Sequence, residues 1–118
     1  MKNILALVLL VFGSFGAFAE DKLEITQASN PILVDVRTEG EWNDGYIETA
    51  IHIPLNELIE KIELIAKNKE QRIYLYCRSG NRSGKAEQAL QNNGYINARN
   101  IGGINEASSK LQLKIIKK

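Results

Sequence analysis

Apolar residues in this chain occur as short runs typical of buried strands and as stripes at helical spacing. Residues 32–36 form a short apolar run, and residues 72–77 are rich in aromatic and β-branched side chains. Both patterns predict buried strands, and the second strand ends at Cys77. Residues 50–53, stopped by Pro54, and residues 98–101 predict two further short strands.

Three helices are predicted between these strands. The longest apolar stripe is Leu58, Ile59, Ile62, Ile65 and Ala66, spaced for one face of a charged helix. Each helix has a predicted start and end. The first begins with a capping box of Thr38 and Glu41 and ends near Gly45. The second runs from Asn56 to Asn68, and the third from Ser83 to Gly94. Gly102 and Gly103 predict a turn, and the weakly alternating tail, residues 105–118, predicts a short helix or a loose strand.

The alternation of strands and helices predicts an α/β fold. Right-handed β-α-β connections place parallel strands side by side and cover both faces of the sheet with helices. Binding sites in such sheets lie at the carboxyl ends of the strands. Cys77 is predicted at one of these ends, directly before a helix, which makes it a candidate functional residue.

The first 19 residues have the pattern of a secretory signal peptide. Lys2 precedes an apolar run at 4–12, and small residues at Ala17 and Ala19 suit a peptidase that cleaves after Ala19. The alternative is a retained membrane anchor, but residues 4–19 include two glycines and fall short of the roughly 20 residues that a span needs. The sequence therefore predicts a signal peptide at 1–19, one domain at 20–118, periplasmic export and no stable membrane association after cleavage.

Charge and cysteine content narrow the function classes. The chain has 15 Lys and Arg against 14 Asp and Glu, and cleavage would remove only Lys2 from this balance. Nothing in the overall charge indicates a nucleic-acid partner, so attraction for an anion must come from locally placed arginines. Cys77 is the only cysteine and cannot form an internal disulfide. It is therefore either a reactive thiol or a small buried apolar residue.

The segment 77–84, here called the cysteine loop, favours the reactive thiol. Only the thiolate is nucleophilic, and an ordinary cysteine is mostly protonated at neutral pH. Gly80 permits a bend that points backbone N–H groups at the sulfur, and the helix start adds positive potential. Arg78 and Arg82 are permanent cations that favour the anion further.

The sequence resembles the rhodanese family of sulfurtransferases, in particular its exported single-domain type. The resemblance runs from Leu33 to Gly103 and rests on these matches: residues 34–37, 41–47, Ala50, 53–54, 77–82 and 102–103. It implies a three-layer rhodanese-like domain with a central, mainly parallel sheet of four or five strands flanked by helices.

The resemblance also implies a reaction. Cys77 would be catalytic and accept a sulfane sulfur as a persulfide from thiosulfate or a similar small anionic donor, then pass it to cyanide or a thiol. The substrate-binding residues would be those whose amides cradle the outer sulfur: Arg78, Ser79, Gly80, Asn81 and Arg82. No cofactor and no metal are implied, and a monomer is expected. Tyr46, Thr49 and the lack of a tryptophan after Gly103 depart from the family pattern, which leaves substrate preference open.

Several alternatives remain open at this point. Arg82 either binds the donor or forms an ion pair with Asp35, whose own role is expected to be structural. A related cysteine phosphatase has five residues between cysteine and arginine, whereas this loop has four, so phosphatase activity is the weaker hypothesis. A non-catalytic persulfide carrier is a further one. His52 is expected to be a packed or exposed histidine, and Trp42 and Tyr46 are expected to be packing residues.

Overall fold

The structure is a computed structural model that describes residues 30–117. Its elements follow the chain in the order β1 (Ile32–Asp35), α1 (Glu39–Asp44), β2 (Gly45–Ile47), β3 (Ile51–His52), a 3₁₀ helix (Leu55–Glu57), α2 (Leu58–Ile65), β4 (Ile73–Cys77), α3 (Asn81–Asn92), β5 (Ala98–Gly103), α4 (Ile104–Leu111) and β6 (Ile115–Lys117). The predicted signal peptide, residues 1–19, lies outside the described residues. Within residues 30–117, no helix has the length and apolar character needed to cross a membrane.

A four-stranded parallel sheet forms the centre of the domain, with strand order β3-β1-β4-β5. Val34 pairs with Leu75 and Asp35 with Tyr76, so β1 and β4 end side by side. β2 and β6 form a separate antiparallel pair. The α/β prediction of a parallel sheet flanked by helices is confirmed.

Both faces of the sheet are buried, as expected for parallel strands. On one face, Val34, Leu75 and Cys77 pack in a core that includes Leu58 of α2 and Leu90 of α3. On the other face, the core consists of Leu33, Tyr76, Ile47 and Ala107, the last from α4. Successive residues of one strand therefore face opposite sides, and the domain has three layers.

The structure corrects several predicted element boundaries. Asn56 does not cap a helix but lies inside the 3₁₀ helix, and α2 ends at Ile65 before Asn68. Pro54 fixes the start of this tighter turn because its backbone angle suits the position. The predicted glycine turn is also wrong: Gly102 and Gly103 complete β5, and α4 follows directly.

Two strands were not predicted as such. β2 follows α1 without a connecting loop and pairs with β6 in the tail, Tyr46 opposite Ile116. Each of these strands is three residues long, too short for an alternating pattern to stand out. The tail contains both a helix, α4, and a strand, β6, where a single short element was expected.

Candidate functional site

Cys77 is the last residue of β4, at the carboxyl end of the central sheet. The backbone N–H of Val36 donates to the carbonyl of Tyr76 over 3.1 Å, which places the end of β1 beside Cys77. On the other side, Cys77 is opposite Gly103 of β5, across an irregularity in the ladder. The residue is 1% exposed. Cys77 therefore lies almost fully buried at the base of the cysteine loop.

The cysteine loop turns back so that polar groups surround the sulfur. Gly80 has a φ of 102°, a conformation that other residues rarely adopt, and it is the N-terminal cap of α3. Its backbone N–H donates to Cys77 Sγ over 3.0 Å, and the N–H of Ser83 donates over 3.4 Å. Although Cys77 packs in an apolar core, its Sγ atom thus lies against inward-pointing amides.

Ser83 was predicted to cap the helix after Cys77, but it lies inside that helix. α3 already begins at Asn81, so Ser83 lies in its first turn, fully buried. Its Oγ is 3.4 Å from Cys77 Sγ and 2.7 Å from Asn100 Oδ1. A hydroxyl carries one hydrogen and can donate to only one of these acceptors at a time. The thiolate is the charged acceptor, so ionisation of Cys77 favours rotation of the hydroxyl toward the sulfur.

These contacts decide the ionisation of Cys77. Burial alone would raise its pKa, because a buried thiolate loses hydration. The Ser83 hydroxyl and the amides of Ser83, Ser79 and Gly80 outweigh that effect and hold the pKa of Cys77 below its ordinary value. The thiolate is therefore present at lower pH than in an ordinary cysteine.

Replacement of Ser83 by alanine tests this reading. We expect Ser83→Ala to raise the pKa of Cys77, because the thiolate loses a donor while burial is unchanged. Alkylation of Cys77 by iodoacetamide at pH 7 should slow about tenfold, and its pH profile should move to higher pH. Ser109→Ala, a change at an exposed site on α4, is the matched control. An unchanged alkylation profile in Ser83→Ala would contradict the assigned role of the hydroxyl.

The side chain of Arg82 pairs with Glu41, and not with Asp35, the ion-pair partner that the sequence suggested. Arg82 Nη1 and Nη2 donate to the two oxygens of Glu41 over 2.7 and 2.9 Å. The Arg82 hydrogen bond is the main reason why the pKa of Glu41 falls to about 2, so the pair stays ionised at working pH. Asp35 instead binds Arg37 through several hydrogen bonds in the interior.

The side chains of Arg78 and Arg82 consequently differ in how freely they can bind an anion. The fork of Arg82 is occupied by a carboxylate, a geometry that satisfies both terminal nitrogens. The side chain of Arg78 is 76% exposed, and its Nη1 lies 4.0 Å from Glu41. Arg78 is therefore the more exposed of the two loop guanidinium groups.

The remaining predicted loop residues lie at the mouth. Ser79 and Asn81 are exposed, and Asn81 begins α3. Backbone N–H groups in the first turn of a helix have no partner within the helix. The amides of Asn81 and Arg82 are of this kind and lie beside the two amides that already contact Sγ.

Two supporting residues were missed from the sequence. Asn100 of β5 donates from Nδ2 to the carbonyl of Gly80 over 3.1 Å, and its Oδ1 accepts from the N–H of Gly102 over 2.9 Å. Glu41 was assigned only to the capping box with Thr38, a role that is confirmed. The sequence contains one weak indication that Asn100 has a functional role: it is a polar residue near the end of a short apolar strand.

The aromatic residues near β3 pack as expected. Trp42 stacks on Tyr46 with 3.9 Å between ring centroids and on His52 with 4.8 Å. His52 Nε2 lies 2.8 Å from the carbonyl oxygen of Arg37 and therefore donates to it. The packing role predicted for these three rings is confirmed.

Comparison with known proteins agrees with this architecture. A family model described as a rhodanese-like domain matches residues 18–110. The chain is 33% identical over 73 residues to thiosulfate sulfurtransferase PspE of Escherichia coli (strain K12), an alignment that covers 62% of this chain and 70% of that protein. A solved structure described as rhodanese with anions from E. coli superposes with a TM-score of 0.68 at 28% identity, covering 75% of this chain and 100% of that one.

A second group of relatives is longer. The tRNA uridine(34) hydroxylase of Photorhabdus laumondii is 31% identical over 97 residues, which cover 78% of this chain but only 28% of that enzyme. The similarity thus concerns one part of the hydroxylase. Because the family model spans most of the chain and the same fold occurs in a solved rhodanese, this chain belongs to the family of rhodanese-like domains.

Proposed function

We propose that this protein is a sulfurtransferase in which Cys77 is the catalytic nucleophile. The observation that carries the proposal is the convergence of the Gly80 N–H, the Ser83 N–H and the Ser83 hydroxyl on Cys77 Sγ. Such a site stabilises a sulfur anion and suits a thiolate that attacks a donor and later leaves again. The similarity to a thiosulfate sulfurtransferase supports the same conclusion.

In the first half-reaction, the Cys77 thiolate attacks the sulfane sulfur of thiosulfate or a similar small anionic donor. A bond forms between Sγ and that sulfur, the S–S bond of thiosulfate breaks, and sulfite leaves with the bonding electron pair. The outer sulfur of the persulfide then lies at the mouth of the loop, within the region of the Asn81 and Arg82 amides. Ser79 and Gly80 complete the cradle.

Arg78 is the residue proposed to capture the donor. Its exposed guanidinium can form charge-assisted hydrogen bonds to sulfonate oxygens before the thiolate attacks. Arg82, fixed by Glu41, contributes positive charge from behind the loop, and its own pKa is raised mainly by Glu41 with a smaller contribution from the Cys77 charge. The two arginines therefore act differently: Arg78 binds the donor and Arg82 stabilises the loop.

In the second half-reaction, cyanide or a thiolate attacks the outer sulfur. The new bond forms to that sulfur, the persulfide S–S bond breaks, and Cys77 leaves as a thiolate. The hydrogen bonds that lower the pKa of Cys77 also make it a better leaving group. Free enzyme is regenerated without any cofactor, and the two halves predict ping-pong kinetics.

The size of the loop disfavours a phosphatase. Four residues separate Cys77 from Arg82, and Cys77 is 1% exposed at the base of this tight turn. A phosphoryl group needs a ring of donors wide enough for a tetrahedron, whereas one sulfur atom needs only a narrow mouth. A persulfide carrier that serves a partner protein uses the same loop and remains the second candidate.

The proposal includes an exported, monomeric protein. Its signal peptide is assigned to residues 1–19, with the rhodanese-like domain at 20–118 and a periplasmic location. The family match that begins at residue 18 lies next to the expected cleavage after Ala19. A small anionic sulfur donor and a cyanide or thiol acceptor are the expected partners, with no nucleic acid and no stable association with the membrane.

Sulfur loading is the direct test of this function. The purified chain is incubated with thiosulfate, and its intact mass is measured before and after addition of cyanide. We expect the mass to rise by one sulfur atom and to return when thiocyanate is released. Slow release after full loading would favour the carrier. The absence of any sulfur gain would rule out both readings, and hydrolysis of a phosphate ester in its place would favour the phosphatase.

A further inference from the structure

An open cavity of about 360 Å³ lies beside the cysteine loop. Its lining is formed by residues from three segments that meet there: Val36, Arg37, Thr38, Pro54, Leu55, Asn56 and Arg82. The volume falls within the range of small-molecule sites and is far larger than thiosulfate or cyanide requires. We refer to it as the Leu55 cavity.

The Leu55 cavity lies close to the catalytic cysteine, because its lining includes residues at neighbouring strand ends and Arg82 of the cysteine loop. Val36 follows β1 and lies next to Cys77, because its N–H donates to the carbonyl of Tyr76. The N–H of Leu55 donates in turn to the carbonyl of Val36 over 3.1 Å. Two backbone hydrogen bonds thus link Leu55 through Val36 to Tyr76, the residue before Cys77. A molecule with its reactive atom at the cysteine loop can extend from there into the cavity.

The polarity of the cavity walls determines which ligands the cavity can bind. Val36, Pro54 and Leu55 supply its apolar surface. Two cations lie on the wall, Arg37 and Arg82. Arg37 is paired with Asp35, and Arg82 is paired with Glu41 through both terminal nitrogens, so neither offers much free charge to a ligand. The Thr38 hydroxyl is likewise engaged with Glu41. The cavity therefore favours an uncharged apolar group over an inorganic anion.

From these contacts we infer that the Leu55 cavity binds the apolar body of a small organic thiol that accepts sulfur from Cys77. The inference rests on the proposed function. The acceptor thiolate attacks the outer sulfur of the Cys77 persulfide, a new S–S bond forms, and the bond to Sγ breaks. Cys77 leaves as a thiolate, and the product is the persulfide of the acceptor. The apolar body lies against Leu55 and Pro54 while its sulfur is held at the mouth.

Two acceptors that differ only in apolar length test the cavity. N-acetylcysteamine and N-hexanoylcysteamine carry the same thiol and amide, so their chemical reactivity is matched. With thiosulfate as donor, kcat/KM for the hexanoyl thiol should exceed that for the acetyl thiol about tenfold, because its four extra methylenes enter the cavity. Leu55→Asn should reduce this ratio to about threefold or less. Leu64→Asn, a change on α2 at a residue 73% exposed, should keep it.

Leu55 is partly buried against the core, so Leu55→Asn could also impair folding. A second variant at a neighbouring position therefore tests the cavity independently. Asn56 is exposed, and Asn56→Trp should fill the cavity and lower the same ratio. Sulfur transfer by the wild-type protein distinguishes failure of the proposed sulfurtransferase function from failure of the cavity assignment. If neither thiocyanate nor a persulfide of either thiol forms, the proposed function fails. If thiocyanate forms but both thiols react equally well, as they would if the true acceptor were a protein cysteine, only the cavity assignment is overturned.

Discussion

Replacement of Cys77 by serine is expected to abolish thiocyanate formation from thiosulfate and cyanide, a loss of at least about 10³-fold. A serine hydroxyl remains protonated at neutral pH and cannot hold a transferable sulfur. The rate is measured as thiocyanate released under saturating thiosulfate. No other cysteine exists to take over the reaction.

The fold of this variant should be retained. Cys77 is 1% exposed, and serine is similar in shape, while its Oγ can accept the hydrogen bonds of Gly80 and Ser83. Circular dichroism and urea unfolding establish whether the domain is intact. A folded Cys77→Ser protein that still produces thiocyanate at the original rate would refute the assignment of the nucleophile.

Replacement of Gly103 by alanine should lower kcat/KM about 10²-fold without touching any reacting group. A Cβ at this position would overlap the carbonyl oxygen of Arg78 and lie 3.0 Å from its carbonyl carbon and 3.1 Å from Ser79 Cα. These are backbone atoms and cannot rotate away, so the cysteine loop and the end of β5 must move apart. The amides that converge on Sγ would then lose their alignment.

Gly40→Ala is the matched control for this change. The nearest atom to a Cβ there is Thr38 Oγ1 at 4.0 Å, and the residue lies within α1. Alanine favours a helix over glycine by up to about 1 kcal/mol, so the control should be slightly more stable and equally active. Equal activity of Gly103→Ala and Gly40→Ala would show that the contact between Gly103 of β5 and the backbone of Arg78 and Ser79 does not position the cysteine loop.

The ion pair between Glu41 and Arg82 changes how the two arginines of the loop are understood. From the sequence they looked equivalent, because both flank the same turn. In the structure one is anchored by a carboxylate 41 residues earlier in the chain, and the other is largely exposed. Donor binding is therefore proposed for Arg78, and a positioning role for Arg82.

Local sequence was sufficient for most of the architecture. The Thr38–Glu41 capping box fixed the start of α1, since both of its hydrogen bonds are made within one turn. The apolar composition of residues 73–77 fixed β4 and hence the place of Cys77 at a strand end. The helical stripe gave α2, although its ends differ by a few residues, because the ends of helices depend on weak capping contacts.

Contacts between distant residues could not be predicted in this way. The pairing of β2 with β6 joins segments about 70 residues apart, and neither strand is long enough to carry a recognisable pattern. Ser83 is a residue type that often caps helices, yet the cap of α3 is Gly80, three residues earlier, and the Ser83 hydroxyl faces the sulfur. Asn100 supports the loop only because β5 lies beside β4.

The sequence by itself determined the alternation of strands and helices, the position of the lone cysteine and the short loop with its two cations. These are properties of neighbouring residues, governed by backbone propensity and side-chain periodicity. Only the tertiary structure decided which donors face the sulfur, which arginine is held by Glu41 and where the Leu55 cavity opens. The reason is physical: hydrogen bonds, ion pairs and cavities depend on distances between residues that the chain brings together only when it folds.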